Sequence, residues 1–197
     1  MARIGRQIPH FQEIDTTTIR ADFSKDMLYR YSLDMNYKPS LLRQDQNEHI
    51  SVILKNPSSA DEFMADATIR KVETYVYRHF PKVSRLSILN MFALRATDAK
   101  EVNMLLKEKG KPYITGPGND SAIKRIFGSC DHIICAWGNN NGIHAKTYYD
   151  RIKEIKVILQ STNKTARCVM SPKQTKQPLH GLMWGFNYPH SAFNYNN

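Results

Sequence analysis

The stretch Ile50-Ser51-Val52-Ile53-Leu54-Lys55-Asn56-Pro57-Ser58-Ser59-Ala60-Asp61 decides the fold class. Residues 50–54 are a short, largely β-branched apolar run, the pattern of a buried strand. The strand must stop at Asn56-Pro57, because a proline nitrogen has no hydrogen to give to a ladder and Asn, Ser and Asp favour turns. Beyond the turn the period changes. Ile69, Val72, Tyr75, Val76 and Phe80 fall near the spacings of one helical face, which predicts a helix over 66–79. Asp66 is placed to cap that helix or to favour its N-terminal dipole. Buried strand, polar turn and amphipathic helix, in that order, make the unit of an α/β domain with a mostly parallel sheet.

The alternation continues on both sides. Residues 86–92 (LSILNMF) read as a second buried strand, followed by the polar loop Arg95-Ala96-Thr97-Asp98 and a helix over 99–108 that ends at Gly110. Gly116-Pro117-Gly118-Asn119-Asp120 is a turn whose Asn119 or Asp120 is placed to cap a further helix bearing Ile123, Ile126 and Phe127. A third strand, 132–137 (HIICAW), runs into Gly138-Asn139-Asn140-Asn141-Gly142, then a long amphipathic helix over 143–159 and a fourth strand over 166–170. Upstream, 27–36 (MLYRYSLDMN) alternates as an antiparallel edge strand does. The expected organisation is a polar arm over 1–24, one α/β domain over 25–185 with about four mostly parallel strands plus the edge strand, and an aromatic tail over 186–197.

A length of 197 residues suits one core, and 41% hydrophobic and 23% charged residues with 9 Gly and 9 Pro exclude a disordered chain or fibrous repeat. Apolar runs such as 133–137 fall far short of the roughly 20 residues of a membrane span. Residues 1–9 lack the apolar region of a signal peptide, so a soluble cytoplasmic protein is expected. Cys130, Cys135 and Cys168 are odd in number with no C-x-x-C spacing, which argues for ordinary thiols. His132, His144 and His180 have no i, i+4 partner, so no metal or other cofactor is expected. The formal charge of +10 would attract polyanions and makes nucleic acid the candidate partner, unless the lysines are merely solvated.

In open parallel sheets the ligand site lies outside the carboxyl ends of the strands. That rule selects the loops 56–61, 95–98, 138–142 and the segment after 170 with Pro178-Leu179-His180-Gly181, all rich in polar turn residues. Asn90 sits inside an apolar strand, where its amide needs a ligand or a loop backbone as partner. Trp137 ends a strand and can stack on a base or pack. Arg95 and Asp98 can anchor a phosphate and a loop, or pair with each other. Arg70 can reach back to the same cleft.

The motifs Tyr29-Arg30-Tyr31, Asn56-Pro57-Ser58-Ser59-Ala60-Asp61 with Asp66-Ala67-Thr68-Ile69-Arg70, Asn90 through Asp98, Gly116-Pro117-Gly118-Asn119-Asp120, Ala136-Trp137-Gly138 and Pro178-Leu179-His180 occur in that order. Over about residues 25–185 they resemble the domain-of-unknown-function family numbered sixteen forty-three. The order of an Asn-Pro turn, a strand Asn, a Trp-Gly strand end and a late Pro/His loop is more distantly similar to the uracil-DNA glycosylase superfamily. That resemblance implies a three-layer α/β/α sandwich. It also implies that Asn56 directs a water, Asn90 reads a base edge and His180 stabilises the leaving base.

The chemistry of such a site stands on its own terms. Breaking an N-glycosidic bond builds negative charge on the departing base, so the site needs a donor near the base oxygen and a positioned water. His180 can donate and Asn56 can orient the water, but an amide is no general base. Asp61 is the nearest carboxylate to the turn, with Asp66 next; Asp61 can equally make an Asx turn and Asp66 a helix cap. Catalytic candidates are therefore Asn56, Asp61 and His180. Ser58, Asn90, Arg95, Asp98 and Trp137 are candidates for binding substrate, and Lys55, Arg70, Lys173 and Lys176 for contacting nucleic acid.

The expected function is recognition of a base in nucleic acid or in a nucleotide, with N-glycosidic hydrolysis of a non-standard base as the reaction. The alternatives are an enzyme or sensor for a free nucleotide and a non-catalytic binding or inhibitory protein. The tail aromatics Phe186, Tyr188, Phe193 and Tyr195 can stack on bases, or patch the surface of their own domain or of a second subunit in a homodimer.

Overall fold

A computed structural model describes residues 7–43, 45–57, 60–96, 99–171 and 177–195. The elements are β1 (Ile14–Phe23), β2 (Arg30–Tyr37), β3 (Glu48–Leu54), α1 (Ala67–His79), β4 (Val83–Asn90), α2 (Ala99–Lys109), α3 (Lys111–Thr115), α4 (Asn119–Ser129), β5 (His132–Cys135), α5 (Ala145–Gln160), β6 (Ala166–Val169), a 3-10 turn (Gly181–Met183) and β7 (His190–Ala192). The seven strands form one mixed sheet in the order β1-β2-β4-β3-β5-β6-β7. β4, β3, β5 and β6 are mutually parallel; on one flank β2 runs antiparallel to β4 and β1 antiparallel to β2, and on the other β7 runs antiparallel to β6.

Chain order and strand order together dictate where the helices lie. β4 and β5 sit on opposite sides of β3, and parallel crossovers are right-handed, so the β3-to-β4 connection must cover one face and the β4-to-β5 and β5-to-β6 connections the other. On the first face Ile69, Val72, Tyr75 and Val76 of α1 pack with Ile50, Val52, Leu86 and Ile88. On the second, Ile123, Ile126 and Phe127 of α4 and Ile152, Ile155 and Leu159 of α5 pack with Ile53, Leu89, Ile133 and Cys135. Asp66 caps α1 as its position predicts, accepting the N–H groups of Thr68 at 2.8 Å and Ile69 at 2.9 Å.

Three expectations need correction. The sheet has seven strands, because the expected arm contributes β1: in Ile14–Phe23 only Ile14 and Ile19 are fully covered, so its threonines and charges hide the alternation. The expected edge strand is consequently internal, paired with β1 on one side and β4 on the other. The tail supplies β7, and Phe193 packs edge-on against Trp137 with ring centroids 5.5 Å apart. The segment before β1 is held by the buried pair His10 Nδ1 and Glu73 Oε1, 2.5 Å apart. Among the described residues no helix is long and apolar enough to cross a membrane.

Candidate functional site

The β3 and β5 connections leave in opposite directions over the two faces, and the gap between them is the topological switch point where ligands of open α/β sheets bind. A cleft of about 360 Å³ lies there, lined by Leu54, Lys55, Asn56, Pro57, Thr68, Asn141, His180, Leu182 and Met183. Its size lies in the range of small-molecule sites, roughly 300 to 1,000 Å³.

His180 is fixed by close packing from several sides. Gly138 has φ +68, and a Cβ there would stand 2.7 Å from the His180 Cβ, so only glycine lets the loop after β5 pass the histidine. The Gly138 N–H donates to the Pro178 carbonyl at 3.0 Å. Gly181 presses against Val72, Leu54 and Thr68, and Trp184, fully buried, donates to the Leu179 carbonyl at 3.1 Å. The Ala136-Trp137-Gly138 and Pro178-Leu179-His180 motifs thus form one contact.

The ring's tautomer follows from its neighbours. The Leu182 N–H donates to Nδ1 at 3.3 Å, which leaves the proton on Nε2 as a donor. Burial, with Lys55 nearby, lowers the pKa to about 4 against a smaller opposing effect of Asp66, so the ring is neutral near pH 7. Lys55 is itself buried, which lowers its pKa to about 8, and its Nζ donates to the Asn139 carbonyl at 2.7 Å. It braces the two halves of the switch point. Asn56 is half-buried at the cleft wall, its Nδ2 3.3 Å from the Pro57 carbonyl. The cleft therefore brings together a neutral imidazole, a partly desolvated ammonium and an amide, which can stabilise negative charge developing on a bound group. Among the described lining residues there is no carboxylate to serve as general base.

Other expected residues are placed elsewhere. Asp61 Oδ1 accepts the N–H groups of Phe63 and Met64 at 2.9 and 2.8 Å, the Asx-turn role. Trp137 is fully buried and donates to Gln177 Oε1 at 3.1 Å, so it has no face to stack on a base. Arg70 donates to the Pro9 and His10 carbonyls at 2.7 Å, tying down the N-terminal segment. Arg95 donates to the Met27 carbonyl at 3.1 Å and lies over the Phe23 ring. Neither arginine lines the cleft. Ser58, Asp98, Lys173 and Lys176 lie outside the described residues.

Asn90, at the end of β4, is fully buried, and both polar atoms of its amide lack a partner. Its backbone carbonyl is bonded instead, by Asn119 Nδ2 at 3.0 Å. Asn119 is thus the first buried residue of α4 rather than its cap; Gly118 takes the cap position with no side-chain bond. Arg30, which the sequence offers only as the middle of the Tyr29-Arg30-Tyr31 motif, is fully buried in β2; an alternating strand gives no sign that a cation points inward. Among the described residues no group of three His, Cys, Asp or Glu side chains could hold a metal ion.

No curated protein and no solved structure matches the chain. A family model described as a protein of unknown function, DUF1643, matches residues 30–182, well over half the length and running from β2 into the 3-10 turn that follows His180. The chain belongs to the DUF1643 family.

Proposed function

We propose that the cleft between β3 and β5 recognises a nucleobase, in nucleic acid or in a nucleotide, and that its chemistry is hydrolysis of the N-glycosidic bond of a non-standard base. The observation that carries the reading is the neutral His180, whose Nε2–H is the free donor in a cleft shared with Lys55 and Asn56. A departing base develops negative charge on its oxygen; a fixed donor and a nearby ammonium favour that charge without a proton transfer. Asn56 would hold the attacking water, whose proton passes to the departing base anion; Asn90 is fully buried and not a lining residue, so in this reading the base passes beyond the present lining to reach its unpartnered amide. In this reading the α/β architecture is of the uracil-DNA glycosylase kind, a three-layer sandwich.

The test is incubation with single- and double-stranded oligonucleotides carrying uracil or another non-standard base, followed by detection of abasic sites. Abasic product that disappears in His180→Ala supports the reading; binding without steep salt dependence, and no product with any base, counts against it. One observation favours a free nucleotide over a polymer. Arg70 and Arg95 donate to backbone carbonyls and neither lines the cleft, and Lys55 is buried, so these three do not form the band of exposed cations at the mouth that a polymer backbone needs. Tighter binding of a nucleoside monophosphate than of an oligonucleotide would decide for that alternative.

A further inference from the structure

Among the described residues six buried side-chain polar atoms lack partners, and four belong to two residues: Nε and Nη2 of Arg30, and Nδ2 and Oδ1 of Asn90. The two residues share one corner of the sheet. β2 and β4 are antiparallel neighbours with Leu33 opposite Ile88, and beyond that ladder, two residues out of its register, the Arg30 N–H donates to the Ala93 carbonyl at 3.0 Å. A register shift between Asp22 and Phe23 makes Tyr31 an extra residue in β2. The shift sends Tyr29 and Tyr31 to the α4 face and Arg30 to the α1 face, where Nη1 donates to the Ala60 carbonyl. Asn90 is in phase with Leu86 and Ile88, which pack on that same face.

The geometry of the open atoms is specific. Nε–H and one Nη2–H point side by side along one edge of a guanidinium, the fork that matches two oxygens of a carboxylate or phosphate. Here the other edge is used and this one is not. A cation removed from water is costly unless paired. Burial pulls the Arg30 pKa down to about 10; Asp66 and Asp61 support its charge and Arg95 opposes it. The two carboxylates already accept backbone N–H groups through Oδ1, and neither is bonded to the open edge.

We propose that Arg30 and Asn90 form an oxyanion subsite, in which the open edge of Arg30 takes two oxygens of a ligand phosphate or carboxylate and the Asn90 amide takes a neighbouring polar group of the same ligand. The subsite goes beyond the base-recognition reading and does not depend on it, since a small inorganic anion suffices to fill the fork. It assigns the recognition of charge to a buried arginine of the Tyr29-Arg30-Tyr31 motif, where composition alone pointed to the surface lysines.

The experiment is thermal unfolding of the full chain in inorganic phosphate, acetate or chloride at matched ionic strength, with Arg30→Lys and Asn90→Asp alongside. The expected result is a saturable rise in Tm with phosphate or acetate over chloride, and whichever anion produces it identifies the oxyanion. Arg30→Lys keeps the charge but not the fork and should weaken the apparent affinity by about tenfold or more. Asn90→Asp introduces a carboxylate on the same face of the neighbouring strand to take the ligand's place at the fork, so it should lose the anion shift and melt higher than the parent without anion. If the parent shows no anion-specific shift, or Asn90→Asp keeps the full shift, the proposal is overturned. Should either variant fail to fold, an arginine Nε–H resonance of the parent chain must move on phosphate titration, and its failure to move also overturns the proposal. An intact anion shift in a protein that binds no nucleobase would leave the subsite standing and remove the cleft reading.

Discussion

Replacing Gly138 by alanine tests how the candidate site is held. The residue has φ +68, where an L side chain is strained by about 1–2 kcal/mol, and its new Cβ would stand 2.7 Å from the His180 Cβ and 3.4 Å from its Cα and N. The 2.7 Å approach is the clash, and a Cβ is fixed by its own backbone, so no rotation of the His180 ring relieves it; overpacking of this kind costs about 1–3 kcal/mol more. The total is about 2–5 kcal/mol, or roughly 5 to 12 °C in Tm for a chain of this length. Gly128→Ala is the internal control. That glycine lies in α4 with nothing within 4 Å of the place a Cβ would take, so alanine there should stabilise by about 0.5–1 kcal/mol. Denaturant unfolding of both variants measures the two effects. Gly138→Ala should also lose ligand binding, because His180 must shift; a Gly138→Ala protein as stable as its parent would refute the account of how the histidine is fixed.

Asn90→Leu should raise stability by about 1 kcal/mol in denaturant titration, since it removes two buried atoms that bond to nothing; a loss of about 2 kcal/mol or more would show that the amide is structurally engaged. His180 makes stability depend on pH with a definite sign. Its folded pKa, about 4, lies below the ordinary 6.5, so between these values the unfolded chain binds more protons, and the contribution present above 6.5 is lost as pH falls toward 4. Urea melts of His180→Asn should show a shallower slope in that window. Phe193→Ala should cost about 3 kcal/mol by calorimetry, because the ring is 8% exposed and packed on Trp137; an unchanged melt would return the tail to the surface.

The parallel core was legible because buried parallel strands are continuous apolar runs and their helices keep a strict period. β3, β4, β5 and β6 lie where the runs 50–54, 86–92, 132–137 and 166–170 place them, within a few residues. β1 was not legible, since its outward residues are Thr, Arg and Asp and only two side chains are fully covered. β7 is three residues long and is defined by its partner β6, not by its own pattern. The loops of the cleft could be chosen from topology, which brought Asn56 and His180 together. The roles of charged residues could not. Lys55, Arg70 and Arg95 all donate to backbone carbonyls, a use that depends on which loop passes nearby and leaves no trace in spacing. Arg30 points inward because of a one-residue register shift, and such a shift is set by pairing rather than by composition.

The central claim is that a base binds between the ends of β3 and β5. Amide hydrogen exchange tests it directly, with and without a uracil-containing single-stranded oligonucleotide or uridine monophosphate as probe. The account predicts protection concentrated in residues 54–57, 138–143 and 179–183, abolished by Asn56→Ala with His180→Ala while the fold is retained. No protection with either probe, or protection elsewhere that survives the double substitution, would contradict it.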